Sequence, residues 1–217
     1  PEEAYEMIEE AFDFSETYQI PVIFRPTTRI CHGCATVDIR EGRRIQSREG
    51  FVKDPKWTIF PKLSYENHLK IEALSRKLSK VFSTYERNAV EGSGDQVIVA
   101  SGVAYTYAKE ALASLQASCR LVKLATANPF PKDFARSFLQ GASQVLVLEE
   151  LDPVIEEELT RLCGEDRIPL TIFGKHTGHA PYAGEYSTEA LLEIISSFLS
   201  VCLLYTSPSP RDSTSSR

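Results

Sequence analysis

Four polar side chains follow directly on an apolar segment near the start of the chain, and their types suit the binding of an anion. They are Thr27, Thr28, Arg29 and His32, and the apolar segment is residues 20 to 24. Arg presents a planar fork of N–H donors and Thr adds a hydroxyl, so together they bind carboxylates and phosphates. Ligands of α/β proteins bind where strands end. These four residues are therefore the candidate oxyanion or substrate-binding segment.

The same segment also has a structural interpretation, to which we give equal weight. Arg25 and Arg29 could pair with acidic helices, and Thr28 could only cap the end of a strand. Pro26 disfavours a helix at the residue before it.

A C-x-x-C pair, Cys31 and Cys34, lies in this segment and accounts for two of the five cysteines. We expect extended chain on both sides of it, whereas a thioredoxin-like pair opens a helix. A zinc site needs a second pair of ligands, and the histidines elsewhere, His68, His176 and His179, lack metal spacing. The sequence favours incidental thiols over a metal, iron–sulfur or redox site.

Two groups of elements position these residues. In residues 1–34, apolar positions at helical spacing predict an amphipathic helix over 2–18, followed by a strand over 20–24. Residues 35–92 predict an irregular linker arm, with turn signals at 41–42 and 49–50 and a break at 60–61. A long helix then begins at a Ser64 cap and continues to Asn88.

Residues 93–200 alternate between apolar runs and amphipathic segments. The pattern predicts strands over 96–100, 120–124, 144–148 and 169–173, with helices over 103–117, 133–139, 153–163 and 188–200. Apolar runs without polar alternation are buried on both faces, which is typical of a parallel sheet covered by helices. We therefore expect a three-layer α/β domain.

Three strand exits of this domain carry polar or small residues. Ser101-Gly102 predicts a tight packing turn and lacks the glycine spacing of a dinucleotide site. Glu149-Glu150 precedes a helix, so capping is favoured over a contact to another domain or subunit. The Gly-rich stretch 174–179 could be a mobile loop, and a metal pair of His176 and His179 is a weak alternative.

Amino-acid composition and net charge argue against some classes of function. The chain has 217 residues, of which 42% are hydrophobic and 25% charged, and a net charge of −6. We find no basic stripe, which argues against nucleic-acid binding. We also find no apolar run of membrane-spanning length and no signal-peptide pattern, so we expect no membrane partner and a cytoplasmic location.

Both ends of the chain look unusual. It begins at Pro1 inside a helical pattern, which predicts a piece of a longer protein. Residues 201–217 have the Ser/Pro/Thr/Arg composition of translated cloning sequence, and a natural disordered tail is the alternative.

Six blocks of sequence, in order, resemble one family: the large subunit of indolepyruvate ferredoxin oxidoreductase, a thiamine-diphosphate-dependent 2-oxoacid:ferredoxin oxidoreductase. The resemblance covers nearly all of residues 1–200. The blocks are EAFDFSETYQIPVIFRPTTRICH, GFVKDPKW with FPKLSYENH, VIVASGVAYTYAKEAL, NPFPKDFARSFL, VLVLEELDPVIEEEL and IFGKHTGHAPYAGEYSTEAL. The family commonly has a small residue such as Ser near His32, where this chain has Cys31 and Cys34.

The resemblance implies an architecture and a reaction. Residues 1–34 would end a pyrimidine-binding domain, 35–92 would form the linker arm and long helix, and 93–200 would be a transketolase C-terminal-like domain. The parent protein would convert arylpyruvates such as indolepyruvate to acyl-CoA by oxidative decarboxylation, with ferredoxin as electron acceptor. It would use thiamine diphosphate, magnesium and iron–sulfur clusters, and its partners would be the remaining domains of the subunit, a small β subunit and ferredoxin.

The chain lacks the G-D-G segment that would hold magnesium diphosphate, so we expect it to bind no cofactor and to be inactive alone. Thr27, Thr28, Arg29 and His32 would contribute substrate contacts, with Arg29 meeting the 2-oxoacid carboxylate. Three alternatives remain: a parent acting on pyruvate or 2-oxoglutarate, a purely structural assembly module, and a free-standing flavodoxin-like domain.

Overall fold

The computed structural model describes residues 1–39, 53–54, 58 and 60–202. The predicted turns at 41–42 and 49–50, and the predicted artefactual tail from residue 203 onward, lie outside the described residues. The chain divides into two compact units, residues 1–75 and 76–217. The domain boundaries expected after residues 34 and 92 stay predictions.

The first unit begins with the predicted amphipathic helix, α1 (Glu2–Tyr18). Gln19 ends it in the left-handed conformation, with φ 54° and ψ 45°. The Ser15 hydroxyl donates to the Ile20 carbonyl at 2.7 Å and fixes the exit of the chain. No residue of α1 is buried.

The strand predicted over residues 20–24 is wrong, because the structure assigns no strand there. A strand needs a hydrogen-bonded neighbour, and the described residues supply none to this segment. In this segment Ile23 is 88% exposed and Val22 40% exposed, whereas Ile20 and Phe24 are half-buried. A short helix, α2 (Thr28–His32), follows.

The long helix α3 (Pro61–Ser83) starts and ends earlier than predicted. Pro61 is its first residue rather than a break, since a proline at this position loses only an N–H that has no helical acceptor. Ser64 already donates its N–H to the Phe60 carbonyl at 2.8 Å, so it lies inside the helix and is not its cap. At the other end, Asn88 is buried outside the helix and donates to the Phe82 carbonyl at 2.8 Å.

The second unit contains a five-stranded sheet in the order β1-β3-β2-β4-β5. The strands are β1 (Ala89–Glu91), β2 (Gln96–Ala100), β3 (Arg120–Lys123), β4 (Gln144–Leu148) and β5 (Thr171–Phe173). Strands β2 to β5 pair in parallel, as predicted, whereas β1 pairs with β3 antiparallel. The sequence analysis missed β1 because three half-exposed residues carry no apolar run.

Four helices cover the two faces of this sheet: α4 (Val103–Ser114), α5 (Lys132–Leu139), α6 (Val154–Asp166) and α7 (Thr188–Leu199). Alternate strand residues face opposite ways, so Val97 and Val99 pack with α5 and α6, while Ile98 and Ala100 pack with α4 and α7. These four strand residues have no exposed surface. The predicted three-layer α/β fold is confirmed.

The strand order places a topological switch point between β2 and β4. From β2 the chain crosses through α4 to β3 on one side, and from β3 it crosses through α5 to β4 on the other side. Helices α4 and α6, which follow the two strands, lie on opposite faces. Such a point opens a crevice at the carboxyl ends of the strands, where ligands of open α/β sheets bind.

Candidate functional site

The predicted substrate-binding residues lie together on α2 and at its first cap. Thr27 precedes the helix with extended backbone, and Thr28, Arg29 and His32 are helical. Because residues three and four apart share a helix face, His32 lies on the same side as Thr28 and Arg29. The extended conformation expected at Arg29-Ile30 is therefore wrong. The roles predicted for the four side chains stay predictions.

Thr27 carries an unusual feature of this segment. Its hydroxyl oxygen, Oγ1, is buried and has no hydrogen-bond partner among the described residues. Buried polar atoms are almost always paired, and leaving one unpaired costs about 1–3 kcal/mol. The Thr27 hydroxyl can therefore donate or accept a hydrogen bond that no described residue supplies. Thr28, Arg29 and His32 are exposed.

A second cluster lies at the carboxyl edge of β4, where Glu149 is only 5% exposed. Its carboxylate accepts hydrogen bonds from the Ile155 N–H at 2.8 Å and the Glu156 N–H at 2.9 Å. These are N–H groups of the first turn of α6, which have no helical acceptor. The capping interpretation of Glu149 is confirmed. The neighbouring Glu150 instead accepts from the Tyr186 N–H at 3.1 Å.

Glu156 continues the connection from α6 to the loop after β5. It is 2% exposed, and its carboxylate accepts the Lys175 N–H at 2.7 Å and the His176 N–H at 3.2 Å. A Cβ atom on Gly174 would lie 2.5 Å from a carboxylate oxygen of Glu156. Any other residue at this position would force the buried Glu156 carboxylate to shift.

Lys175 is the buried cation of this cluster, with 3% of its surface exposed. Its ammonium group donates to the Pro181 carbonyl. The ammonium nitrogen also lies 5.9 Å from the ring centre of Tyr182 and 5.8 Å from that of Tyr186, within the range of cation–π attraction. Lys175 thus ties the loop after β5 to Pro181, six residues further along the chain.

Burial sets the electrostatics of the cluster. It raises the pKa of Glu149, and the two backbone N–H bonds and Lys175 only partly oppose this. Burial also lowers the pKa of Lys175, against the attraction of Glu149 and Glu156. The pKa of Tyr186 is raised by burial and by the nearby carboxylates. The three groups therefore hold one another in a desolvated network, in which each charge has a partner.

The Gly-rich stretch is not an open loop but a hydrogen-bonded one. The Gly174 carbonyl accepts from the His179 N–H at 2.9 Å and the Ala180 N–H at 3.1 Å. The two histidines take different partners: His176 contacts the Tyr182 hydroxyl and His179 contacts the Thr177 hydroxyl, each at 2.9 Å. Among the described residues no group of three or more His, Cys, Asp or Glu side chains could hold a metal ion.

Ser101-Gly102, on the β2 side of the switch point, forms the predicted turn. Gly102 caps α4 with φ 56° and ψ −136°, a conformation that only glycine adopts readily. The Ser101 N–H donates to the Leu148 carbonyl at 3.3 Å and ties the turn to β4.

The sequence analysis missed Glu156, Lys175 and Tyr186. One signal was available: Glu156 lies seven residues after Glu149, inside the first turn of a predicted helix, next to apolar positions. A carboxylate at an apolar position indicates a buried partner. The partner itself, a backbone amide twenty residues later, has no local sequence signal.

The residues present do not fit the cofactors that the resemblance implies. Glu149 and Glu156 direct their carboxylates at backbone N–H groups and not at a shared metal position. Cys119 and Cys163 are buried in the cores on opposite faces of the sheet, so they cannot share an iron–sulfur cluster. No described helix is long and apolar enough to cross a membrane.

Comparison with known proteins identifies the family. The chain is 34% identical over 200 residues to the indolepyruvate oxidoreductase subunit IorA of Methanothermobacter thermautotrophicus, covering 90% of this chain and 32% of the relative. The IorA subunit of Pyrococcus horikoshii is 34% identical over 211 residues, which is 92% of this chain and 32% of the relative. The chain belongs to the family of these subunits. It spans about a third of their length.

Other comparisons add less. The IorA subunit of Archaeoglobus fulgidus is 30% identical over 191 residues, 86% of this chain and 30% of the relative. No model of a known protein family matches the chain. The recognition of the family from its six sequence blocks is confirmed.

Two solved structures resemble the chain in part. One is a split-gene transketolase, an inactive β4 tetramer, with TM-score 0.43, 19% identity, and 53% of this chain and 42% of that chain covered. The other is the 2-oxoglutarate:ferredoxin oxidoreductase of Magnetococcus marinus, with TM-score 0.44, 17% identity, and coverage of 64% and 24%.

The close contact between Gly174 and Glu156 gives a testable contrast between two glycines. We expect Gly174→Ala to destabilise the chain by about 2–5 kcal/mol, because the new methyl group displaces Glu156 from two backbone donors. Gly164→Ala should stabilise it by about 0.5–1 kcal/mol, since Gly164 lies in α6 with open space around its Cα. Urea unfolding measures both. Equal effects of the two substitutions would contradict the role of Gly174.

The raised pKa of Glu149 gives a pH-dependent contrast. The folded chain holds the Glu149 proton more tightly than the unfolded chain does. This contribution to stability is present below the ordinary pKa of 4.5 and is lost as pH rises through the folded pKa. The unfolding free energy of the wild type minus that of Glu149→Gln should therefore fall as pH rises from about 4.

Unfolding of both proteins in urea across this pH range measures that difference. Glu110→Gln, at an exposed carboxylate that accepts a hydrogen bond from the Thr188 hydroxyl, is the control for the substitution itself. If the unfolding free energy of the wild type minus that of Glu149→Gln instead rises with pH, the two backbone N–H bonds outweigh the cost of desolvation.

Proposed function

We propose that this chain is the part of an indolepyruvate oxidoreductase subunit that forms a rigid structural domain and supplies substrate contacts. The parent enzyme decarboxylates an arylpyruvate such as indolepyruvate and transfers the acyl group to coenzyme A. The two electrons released pass through iron–sulfur clusters to ferredoxin. The match to IorA subunits along nine tenths of the chain is the observation that supports this proposal.

The α/β domain supports a structural role rather than a catalytic one. Glu149, Glu156 and Lys175 lie where such folds place their ligands, but each already has partners within the domain. Thiamine diphosphate, magnesium and the iron–sulfur clusters would then lie in other parts of the parent protein. We further propose a small β subunit and ferredoxin as its partners and the cytoplasm as its location.

The segment Thr27–His32 supports a role in substrate binding. The unpaired Thr27 hydroxyl would gain a hydrogen bond from a ligand or from a neighbouring domain. Arg29 is exposed on α2, one residue into the helix. Its guanidinium matches the geometry of a 2-oxoacid carboxylate, which accepts two parallel N–H bonds.

A chimera tests this role. Residues 1–200 replace the matching third of the Methanothermobacter thermautotrophicus subunit, and indolepyruvate-dependent ferredoxin reduction is measured. Arg29→Lys should raise KM about 10- to 100-fold, because lysine cannot form the bidentate pair. Thr27→Val should also raise KM, while leaving the unfolding free energy of the 217-residue chain unchanged or higher, since it deletes an unpaired hydroxyl.

Arg161→Lys is the matched control for the chimera. Arg161 pairs with Glu165 and Glu158 on the surface of α6, so its replacement should leave KM unchanged. If the chimera is active and neither Arg29→Lys nor Thr27→Val changes its KM, the substrate-contact role is overturned. A chimera that assembles with its cofactors but shows no indolepyruvate activity would count against the parent reaction.

Cofactor binding by the chain itself provides a second test. Calorimetric titration of the 217-residue chain with thiamine diphosphate and Mg²⁺ should show no measurable binding, because its buried carboxylates are already hydrogen-bonded. The complete Methanothermobacter subunit assembled with its partners is the positive control. Saturable, tight binding to this chain would contradict the proposed division of roles.

A further inference from the structure

Four of the described cysteines form two pairs that differ in exposure. They are Cys119 with Cys163, and Cys31 with Cys34. Cys119 and Cys163 are buried, and burial raises the pKa of the Cys119 thiol to about 11 and also raises that of Cys163. Cys31 and Cys34 are free and exposed. Thiol–disulfide exchange requires access and a thiolate, so the second pair is open to it and the first is not.

The backbone between Cys31 and Cys34 brings the two residues together. His32 is helical, and Gly33 is extended with φ −74° and ψ 148°. A helical residue followed by an extended one is the pattern of a type VIII turn, in which the first and fourth Cα atoms lie within about 7 Å. Disulfides bridge Cα atoms about 4.4–6.8 Å apart, so the turn places the two cysteines near that range.

Gly33 keeps this turn compact. Its N–H donates to the Ile30 carbonyl at 3.3 Å, and a Cβ at this position would lie 3.0 Å from the Arg29 carbonyl oxygen. A side chain here would require the Arg29 carbonyl to move by a few tenths of an ångström.

In contrast to the incidental thiols that the sequence favoured, we propose that Cys31 and Cys34 form a dithiol modification site that reacts with small-molecule disulfides. One thiolate attacks the disulfide and forms a mixed disulfide, releasing the first small thiol. The second thiolate then attacks the protein sulfur of that mixed disulfide, forming the Cys31–Cys34 bond and releasing the second small thiol. The small disulfide is reduced by two electrons, the dithiol is oxidised, and the two thiol protons go to the two leaving groups.

This site is independent of the proposed reaction, although it lies on the same segment. The Cys31–Cys34 bond would tie the last turn of α2 to Cys34, two residues past its end. Thr28, Arg29 and His32 lie on that helix. The oxidised form would therefore fix the helix on which the predicted substrate contacts are carried.

The 217-residue chain provides its own internal controls. It is equilibrated with reduced and oxidised glutathione at a series of ratios, quenched with iodoacetamide and digested with trypsin. Cleavage after Arg29 and Arg40 isolates one peptide, Ile30 to Arg40, that contains both cysteines. Mass spectrometry separates the doubly alkylated dithiol, the glutathione adducts and the internal disulfide, which lacks two hydrogen atoms and carries no adduct.

We expect this peptide to convert to the internal disulfide as oxidised glutathione increases, without retaining glutathione. The exposed Cys202 should give a glutathione adduct instead, while Cys119 and Cys163 stay unmodified. In Cys31→Ser, Cys34 should also stop at the glutathione adduct. The proposal is overturned if the wild-type peptide carries glutathione on its cysteines, or stays a dithiol where Cys202 is fully modified.

Discussion

The α/β unit depends on one constraint: a carboxylate taken out of water must have its oxygens satisfied by donors. Glu149 meets this constraint with two N–H groups of the first turn of α6, and Glu156 meets it with two N–H groups of the loop after β5. The two carboxylates therefore link β4 to α6 and α6 to the next strand exit. Moving any one of these elements would leave a buried charge unpaired, at a cost of several kcal/mol.

Lys175 completes this arrangement by placing a buried cation near two buried anions. The attraction of Glu149 and Glu156 partly offsets the cost of burying this charge, and the ammonium group itself donates to the Pro181 carbonyl. The network thus specifies one conformation of the strand exits. The carboxylates of Glu149 and Glu156 are already hydrogen-bonded within the domain.

Much of this unit could be predicted from the sequence, because its signals are local. Strands such as β2 and β4 are buried on both faces and appear as continuous apolar runs. Short polar turns and helical periodicity place the covering helices within a few residues. β1 was not predicted, because an edge strand of three half-exposed residues has no such run. The burial of Lys175 was not predicted, because the acidic groups near it, Glu149 and Glu156, precede it in the sequence by more than a helical turn.

The wrong strand prediction at residues 20–24 also shows that local sequence does not reveal a distant partner segment. Its apolar pattern is real, but a strand is a property of two neighbouring segments, and the second is not among the described residues. Thr28, Arg29 and His32 lie together on α2, where the extended backbone predicted at Arg29 is wrong, and their role as a site stays a prediction. Local pattern predicts which residues cluster, whereas pairing decides what conformation they take.

The contrast between Thr27 and Lys175 separates the roles of the two units. Lys175 is buried and satisfied by groups of its own unit, so its burial needs nothing further. Thr27 has a buried hydroxyl oxygen with no hydrogen-bond partner among the described residues, and such atoms are rare in folded proteins. A residue of the first kind maintains a fold, whereas an unsatisfied hydroxyl keeps hydrogen-bonding capacity for water, a ligand or another domain. This contrast is the physical basis of the proposed division of roles, with the α/β unit as scaffold and the segment around α2 as the site of recognition.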